Sequence, residues 1–220
     1  MDRVESLQTL IYIMNEDWVR NTILRDHRSP GTCWMGSFQY RSRLEPEPFR
    51  VIGRKRCRYY LFTVALLYEQ NKIHYMAFIY DKSIRKMICF DSGYNLYHVG
   101  ERQILPEVVG VFRDYGYLDS VDVQDRCHQV YYNKRWGVQY NGEDPKTVHL
   151  PADAFCQTWS MYFLVSFLRQ KDILFLKKWC AIPPSKRERY LVRHFIRPVL
   201  RQHARIQRYF QKQRMELYGF

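Results

Sequence analysis

No Cys-x-x-Cys pair occurs in this chain: its six cysteines (Cys33, Cys57, Cys89, Cys127, Cys156 and Cys180) stand at least 24 residues apart. That spacing argues against a structural zinc site, so no metal is expected. Long apolar runs are missing too. The longest, around residues 155–168, is interrupted by Gln157, Thr158, Ser160 and Ser166, and is too short and too polar to span a bilayer. The opening Met-Asp-Arg-Val-Glu-Ser carries no signal-peptide pattern, so an intracellular, reducing compartment is expected even though the even cysteine count would allow disulfides. No internal repeat or low-complexity tract appears. Acid is scarce at one end only: residues 185–214 hold ten Lys/Arg and a single acid, Glu188.

What is present fits a folded domain. At 220 residues, with 46% hydrophobic and 16% aromatic side chains, the chain suits one globular domain with an appendage. The net charge of +13 points to a polyanionic partner, and +9 of it falls within residues 185–214. Two helices are expected there, near 185–196 and 198–213, with Pro198 tolerated at a first helical position and marking the joint. Arg201, Arg205, Arg208 and Lys212 then fall in one narrow sector, opposite Val199, Ile206 and Phe210. Arg189 and Arg193 form a similar sector opposite Leu191 and Phe195. A solvated helix face is the ordinary alternative, but such faces mix both signs and this one is almost purely positive.

Elsewhere, residues 4–25 read as one or two helices, and 32–52 as extended stretches broken by Pro46 and Pro48. Tyr59–Leu67 suits helix or strand. A helix is expected over 101–115, with Ile104, Val108, Val111 and Phe112 on one face. Short strands are expected near Ser120–Gln124 and Gln129–Tyr132, followed by a strong turn signal at Asn141-Gly-Glu-Asp-Pro145.

Two stretches carry chemistry. Cys156 stands at the junction of a Pro-containing loop and a helix-periodic run, with Trp159, Phe163 and Phe167 at helical spacing. A Cys at the positive end of a helix is favoured as the thiolate, although a Cys heading an apolar helix is more often core. The second stretch, Ile73 to Gly93, reads as a β-hairpin. A two-residue turn at Lys82-Ser83 places His74 directly opposite Asp91, where a carboxylate fixes the ring's tautomer and stabilises its imidazolium.

His, an acid seventeen residues on, then Gln, then a Cys opening a helix: this order resembles the adenovirus-protease-like and SUMO-protease-like cysteine peptidases. The Cys-x-x-Trp-Ser pattern looks most like divergent members encoded by large DNA viruses. The resemblance spans roughly residues 57–170, and Gly137-Val-Gln139 is similar to the family's Gly-x-Gln element. Tyr75 stands where the family often has Trp, Gln157 where Gly is common, and the segment from Gln139 to Cys156 is longer than usual. The resemblance implies an α+β fold, a small mixed sheet with the nucleophile helix packed against it and further helices at both ends. The charge distribution divides the chain into a peptidase-like domain, 1–184, and a basic helical extension, 185–220, which the resemblance does not cover. The resemblance also implies a Cys156–His74–Asp91 triad. For the oxyanion donor Gln139, Gln157 and His149 are candidates, and Gln139 is preferred for its permanent amide donor.

The substrates implied are viral precursor proteins cut at small-residue sites, or ubiquitin-like conjugates. The setting would be the host cytoplasm or a virion. DNA is a cofactor of the adenoviral enzyme, so stimulation by DNA is the one cofactor effect implied. The same triad order occurs in acyltransferases. A second class also fits: an inactive peptidase-like, basic, nucleic-acid-associated structural protein.

Overall fold

The computed structural model describes residues 17–68, 72–92, 104–124 and 156–218. Its architecture is α+β: one five-stranded mixed sheet with helices on both faces. The sheet runs in the order β1-β2-β3-β4-β5, comprising Thr32–Tyr40, Tyr59–Tyr68, Lys72–Asp81, Lys86–Asp91 and Ser120–Gln124. The central strands pair antiparallel, while β1 and β5 add at the edges in parallel with β2 and β4.

Helix α1 (Asp17–Asp26) precedes the sheet, and the short helix α2 (Val51–Arg54) follows a 3-10 turn over Glu47–Arg50. The prolines at 46 and 48 therefore introduce helical turns rather than break strands. Pro lacks a backbone donor that a first helical turn does not need. Helix α3 spans Leu105–Asp114, within the expected 101–115, of which residues 101–103 lie outside the described residues. Helix α4, Cys156–Gln170, begins at the cysteine, and α5 is Phe175–Cys180. Residues 4–16 of the expected N-terminal helices, the expected strand near 129–132 and the turn at 141–145 lie outside the described residues.

Alternation along the strands sorts two cores. Tyr60, Phe62, Val64, Met76, Phe78 and Tyr80 point to the face covered by α3 and the 3-10 turn. Leu61, Ala77, Ile79 and Phe90 point to the other face, against α1 and α4. That period of two is what a strand buried on both faces requires, and it decides Tyr59–Tyr68 as strand. Helix α4 has no polar face: every residue from Cys156 to Leu168 is buried. Phe163 stacks on Phe90 with centroids 4.4 Å apart, and its full burial is worth about 1.5–3 kcal/mol.

The C-terminal region closes over α4. Helix α6 (Pro184–Leu191) runs through a π turn, Val192–Ile196, into α7 (Arg197–Gln202), and α8 is Ala204–Tyr218. The joint lies at His203, whose φ of −116° and ψ of 77° interrupt the helix, and not at Pro198, which sits in the first turn of α7. Leu191, Phe195, Val199 and Ile206 join the same core as α4. His203 Nδ1 lies 3.1 Å from Asp26 Oδ2, tying this joint to the end of α1. Buried Arg187 donates to the Ile182 and Cys180 carbonyls, satisfying acceptors left free where α5 ends.

Cys33 and Cys57 are joined in a disulfide with Cα atoms 5.8 Å apart, which links β1 to the segment leading into β2. Cys89 and Cys156 are free thiols.

Candidate active site

The hairpin of β3 and β4 sets the first two groups. Its turn is longer than the two residues expected: Asp81 pairs with Lys86, and Lys82 to Arg85 form the loop, with Arg85 at a φ of 50°. The whole ladder is therefore displaced by two residues, and Asp91 sits opposite Met76 instead of His74. A shift of two leaves each side chain on its face, whereas a shift of one would have reversed it. His74 is thus the diagonal neighbour of Asp91 on one face, a separation that two side chains of this length bridge. Its Nε2 lies 2.9 Å from Asp91 Oδ1, with both residues almost fully buried.

Cys156 comes up at the end of the sheet. It packs with Ala65 of β2 and Tyr75 of β3, and is itself buried. Two serines pin the start of its helix: Ser92 Oγ donates to the Cys156 carbonyl at 3.5 Å, and Ser160 Oγ donates to the Tyr75 carbonyl at 3.4 Å. The Cys156 side chain is the other hydrogen-bonding neighbour of the His74 ring. Since Asp91 engages Nε2, Nδ1 is the nitrogen left for the sulfur. Burial on its own would lower the His74 pKa. The Asp91 carboxylate outweighs it by charge and hydrogen bond, and with Cys156 acting in the same direction the ring stays protonated well above the ordinary histidine range.

His74, Asp91 and Cys156 are thus brought together. Gln139 and His149 lie outside the described residues. Gln157 is buried in the first turn of α4, and its amide nitrogen and oxygen have no hydrogen-bond partner among the described residues. Such an amide costs about 1–3 kcal/mol for each unsatisfied group.

Sequence reasoning passed over Ser92, Ser160 and Arg20. Ser92 is legible in the sequence only as turn chemistry in Asp-Ser-Gly, and Ser160 only as an interruption of an apolar helix and as the Ser of the Cys-x-x-Trp-Ser pattern, with no hydrogen bond implied. Arg20 is buried in α1 and its Nη1 donates to the Tyr75 hydroxyl at 3.2 Å, so it backs the ring that packs on Cys156. A single Arg in an amphipathic helix gives no signal for that role.

The six basic residues of the C-terminal stripe, Arg189, Arg193, Arg201, Arg205, Arg208 and Lys212, are all exposed. They are carried on three helices, α6, the π turn with α7, and α8, because the break at His203 separates Arg201 from the other three of its expected sector. Among the described residues no cluster of three potential metal ligands occurs, and no helix is long and apolar enough to cross a membrane.

The α+β fold with its cysteine-headed helix against a mixed sheet is similar to solved structures of chlamydial proteins. ChlaDub1 from Chlamydia trachomatis is 17% identical over 91% of this chain and 79% of its own, with a TM-score of 0.45. The Chlamydia trachomatis effector protein Cdu1, solved bound to ubiquitin, is 17% identical with the same coverages and a TM-score of 0.43. The Chlamydia abortus effector protein ChlaDUB is 15% identical over 66% of this chain and 59% of its own, with a TM-score of 0.41. No family model and no curated protein matches the chain.

Proposed function

We propose that the chain is a cysteine peptidase or isopeptidase in which Cys156 is the nucleophile, His74 the acid–base and Asp91 the group that orients it. The observation that supports this reading is the buried His74–Asp91 pair at 2.9 Å beside the cysteine that opens α4. An imidazolium beside the sulfur favours the thiolate, which attacks the substrate carbonyl. His74 then gives its proton to the leaving amine, and Asp91 stabilises the charged ring. Water, deprotonated by His74, releases the acyl group. The backbone N–H of Cys156, at the helix start where no intrahelical acceptor exists, is one oxyanion donor, and Gln139 supplies the second. The substrates proposed are ubiquitin-like conjugates, or precursor proteins cut at small-residue sites.

The test is turnover of fluorogenic ubiquitin-like and Gly-Gly-x substrates. Cys156→Ala and His74→Ala should abolish it while the thermal transition is retained. Full activity in Cys156→Ala ends the reading.

A second reading also has its own observations. Cys156 is only 3% exposed and His74 only 1%, and six exposed basic side chains line the C-terminal helices. A peptidase-like protein without turnover, bound to nucleic acid through those helices, has these features. An electrophilic thiol probe separates the two: selective labelling of Cys156 over Cys89 supports the enzyme, and an inert Cys156 supports the binding protein. Nucleic-acid binding by the stripe should be independent of sequence and fall steeply with salt, with the slope reduced in Arg205→Glu/Arg208→Glu. If it binds, DNA stimulation of turnover is the next measurement. An intracellular, reducing setting remains part of the proposal for a thiol enzyme, and in it the Cys33–Cys57 disulfide would be exposed to reduction.

A further inference from the structure

At the end of the sheet away from His74 lies an open-mouthed cavity of about 760 Å³ with Arg25, Arg28, Lys55 and Arg56 around it. Two segments far apart in sequence make its walls, one running from α1 into β1 and the other from α2 into β2. The parallel pairing of Thr32 with Tyr59 and the Cys33–Cys57 disulfide hold them side by side. No carboxylate lines it. Arg25 is countered by Asp26, at 3.3 Å, but Arg28, Lys55 and Arg56 have no ion-pair partner among the described residues. Nearby Arg58, by contrast, is paired with Asp81 at 3.0 Å.

The floor has the same sense. Lys171 Nζ donates to the Ser29 and Thr32 hydroxyls, which also bond to each other at 3.0 Å. Both oxygens are therefore occupied as acceptors, one hydroxyl proton bridges them, and the other is left to donate outward. A fifth cation thus stands behind the wall, with no carboxylate of its own among the described residues.

We propose that this cavity binds a compact anion bearing two or more phosphate groups. Guanidinium forks match phosphate oxygens, and the volume lies in the range of small-molecule sites, roughly 300–1,000 Å³. No aromatic side chain lines the cavity, so a nucleobase finds nothing to stack on, which favours a phosphate-dense ligand over single-stranded nucleic acid. The site is separate from the candidate active site: from Tyr59 to Leu66, the partner of His74, β2 covers roughly 23 Å.

The experiment is calorimetric titration of the full chain with tripolyphosphate at constant ionic strength. One saturable site is expected, weakened roughly tenfold or more in Arg28→Glu/Arg56→Glu and in Lys55→Glu/Arg56→Glu, and unchanged in Arg205→Glu/Arg208→Glu. The second pair keeps the hydrogen bond from Arg28 to the Thr32 carbonyl, so a folding defect in the first does not decide the result. Vesicles carrying a polyphosphorylated lipid identify the source. Binding to them that tripolyphosphate competes away and Arg56→Glu weakens assigns a lipid headgroup, and its absence assigns a soluble anion. No saturable binding, or equal loss in the C-terminal variant, overturns the site.

Discussion

Strand β3 carries a carboxylate pair near each end, and the two ends could hardly differ more. Near its start, His74 and Asp91 are both buried and lie 2.9 Å apart. At its finish, Asp81 accepts from Arg58, whose side chain is 55% exposed, and from the backbone N–H and hydroxyl of Ser83. In the first pair the charge of the ring depends on its neighbours, because burial opposes it while the carboxylate, with Cys156, restores it. In the second, the cation is permanent and wet, so the carboxylate's work is local: it closes the turn after β3. Polar pairing of similar length thus holds a proton on a ring where water is excluded and fixes chain geometry where it is not.

The largest expected difference between the ends is in turnover. Asp91→Ala should leave only weak activity, since nucleophile and base remain but the ring's orientation is lost. Asp81→Ala should leave turnover unchanged. Equal losses in the two variants would mean that Asp91 matters only for folding. On the same assay Gln139→Ala should cost ~10²–10³, the usual loss for one oxyanion donor, with Cys156 still labelled by thiol reagents.

Much of this comparison is legible in the sequence. The hairpin, the helix beginning at Cys156 and the facing of His74 and Asp91 all follow from periodicity and turn residues. What was not readable has a common cause, which is contact between distant segments. The identity of β2 was decided by the two cores it separates. Ser92 and Ser160 acquired meaning only when α4 met the ends of β3 and β4. The basic cavity exists because β1 lies parallel to β2 and brings Arg28 near Arg56. The turn length escaped for a different reason: Lys-Ser-Ile-Arg contains no Gly or Asn to demand a particular type, and Arg85 takes up the positive φ itself.

The pH dependence of stability sharpens the contrast, because the two ends have opposite signs. The folded His74 pKa lies above its ordinary 6.5, so the folded state holds the proton more tightly. Its contribution is fully present below about 6.5 and is lost as pH rises through the folded value. For Asp81, burial raises the pKa, but the hydrogen bonds from Arg58 and Ser83 outweigh it and the net shift is downward from 3.8. Its contribution is present above that value and is lost as pH falls through the depressed one. Melting temperature against pH should therefore lose part of its alkaline decline in Asp91→Asn and part of its acid decline in Asp81→Asn. A common change in both limbs would break the assignment.

The smallest effect expected is on stability at neutral pH in Asp81→Ala, about 1 kcal/mol, from the lost turn hydrogen bonds. Denaturant unfolding measures it, and a loss several times larger would mean that the turn anchors the whole sheet.

The two-residue displacement of the β3–β4 ladder has a consequence for how the hairpin tolerates change. With sixteen residues between them in this sequence, His74 and Asp91 share a face whenever the loop takes an even number of those residues, and the four found here satisfy that as two would have. Loop insertions or deletions in pairs should preserve the meeting of ring and carboxylate to within a diagonal step. A single residue added within β4, between the loop and Asp91, would turn the carboxylate to the side of the sheet that α4 covers. The tip of this hairpin is free to drift in sequence, while the count of residues between it and the ring and carboxylate is not.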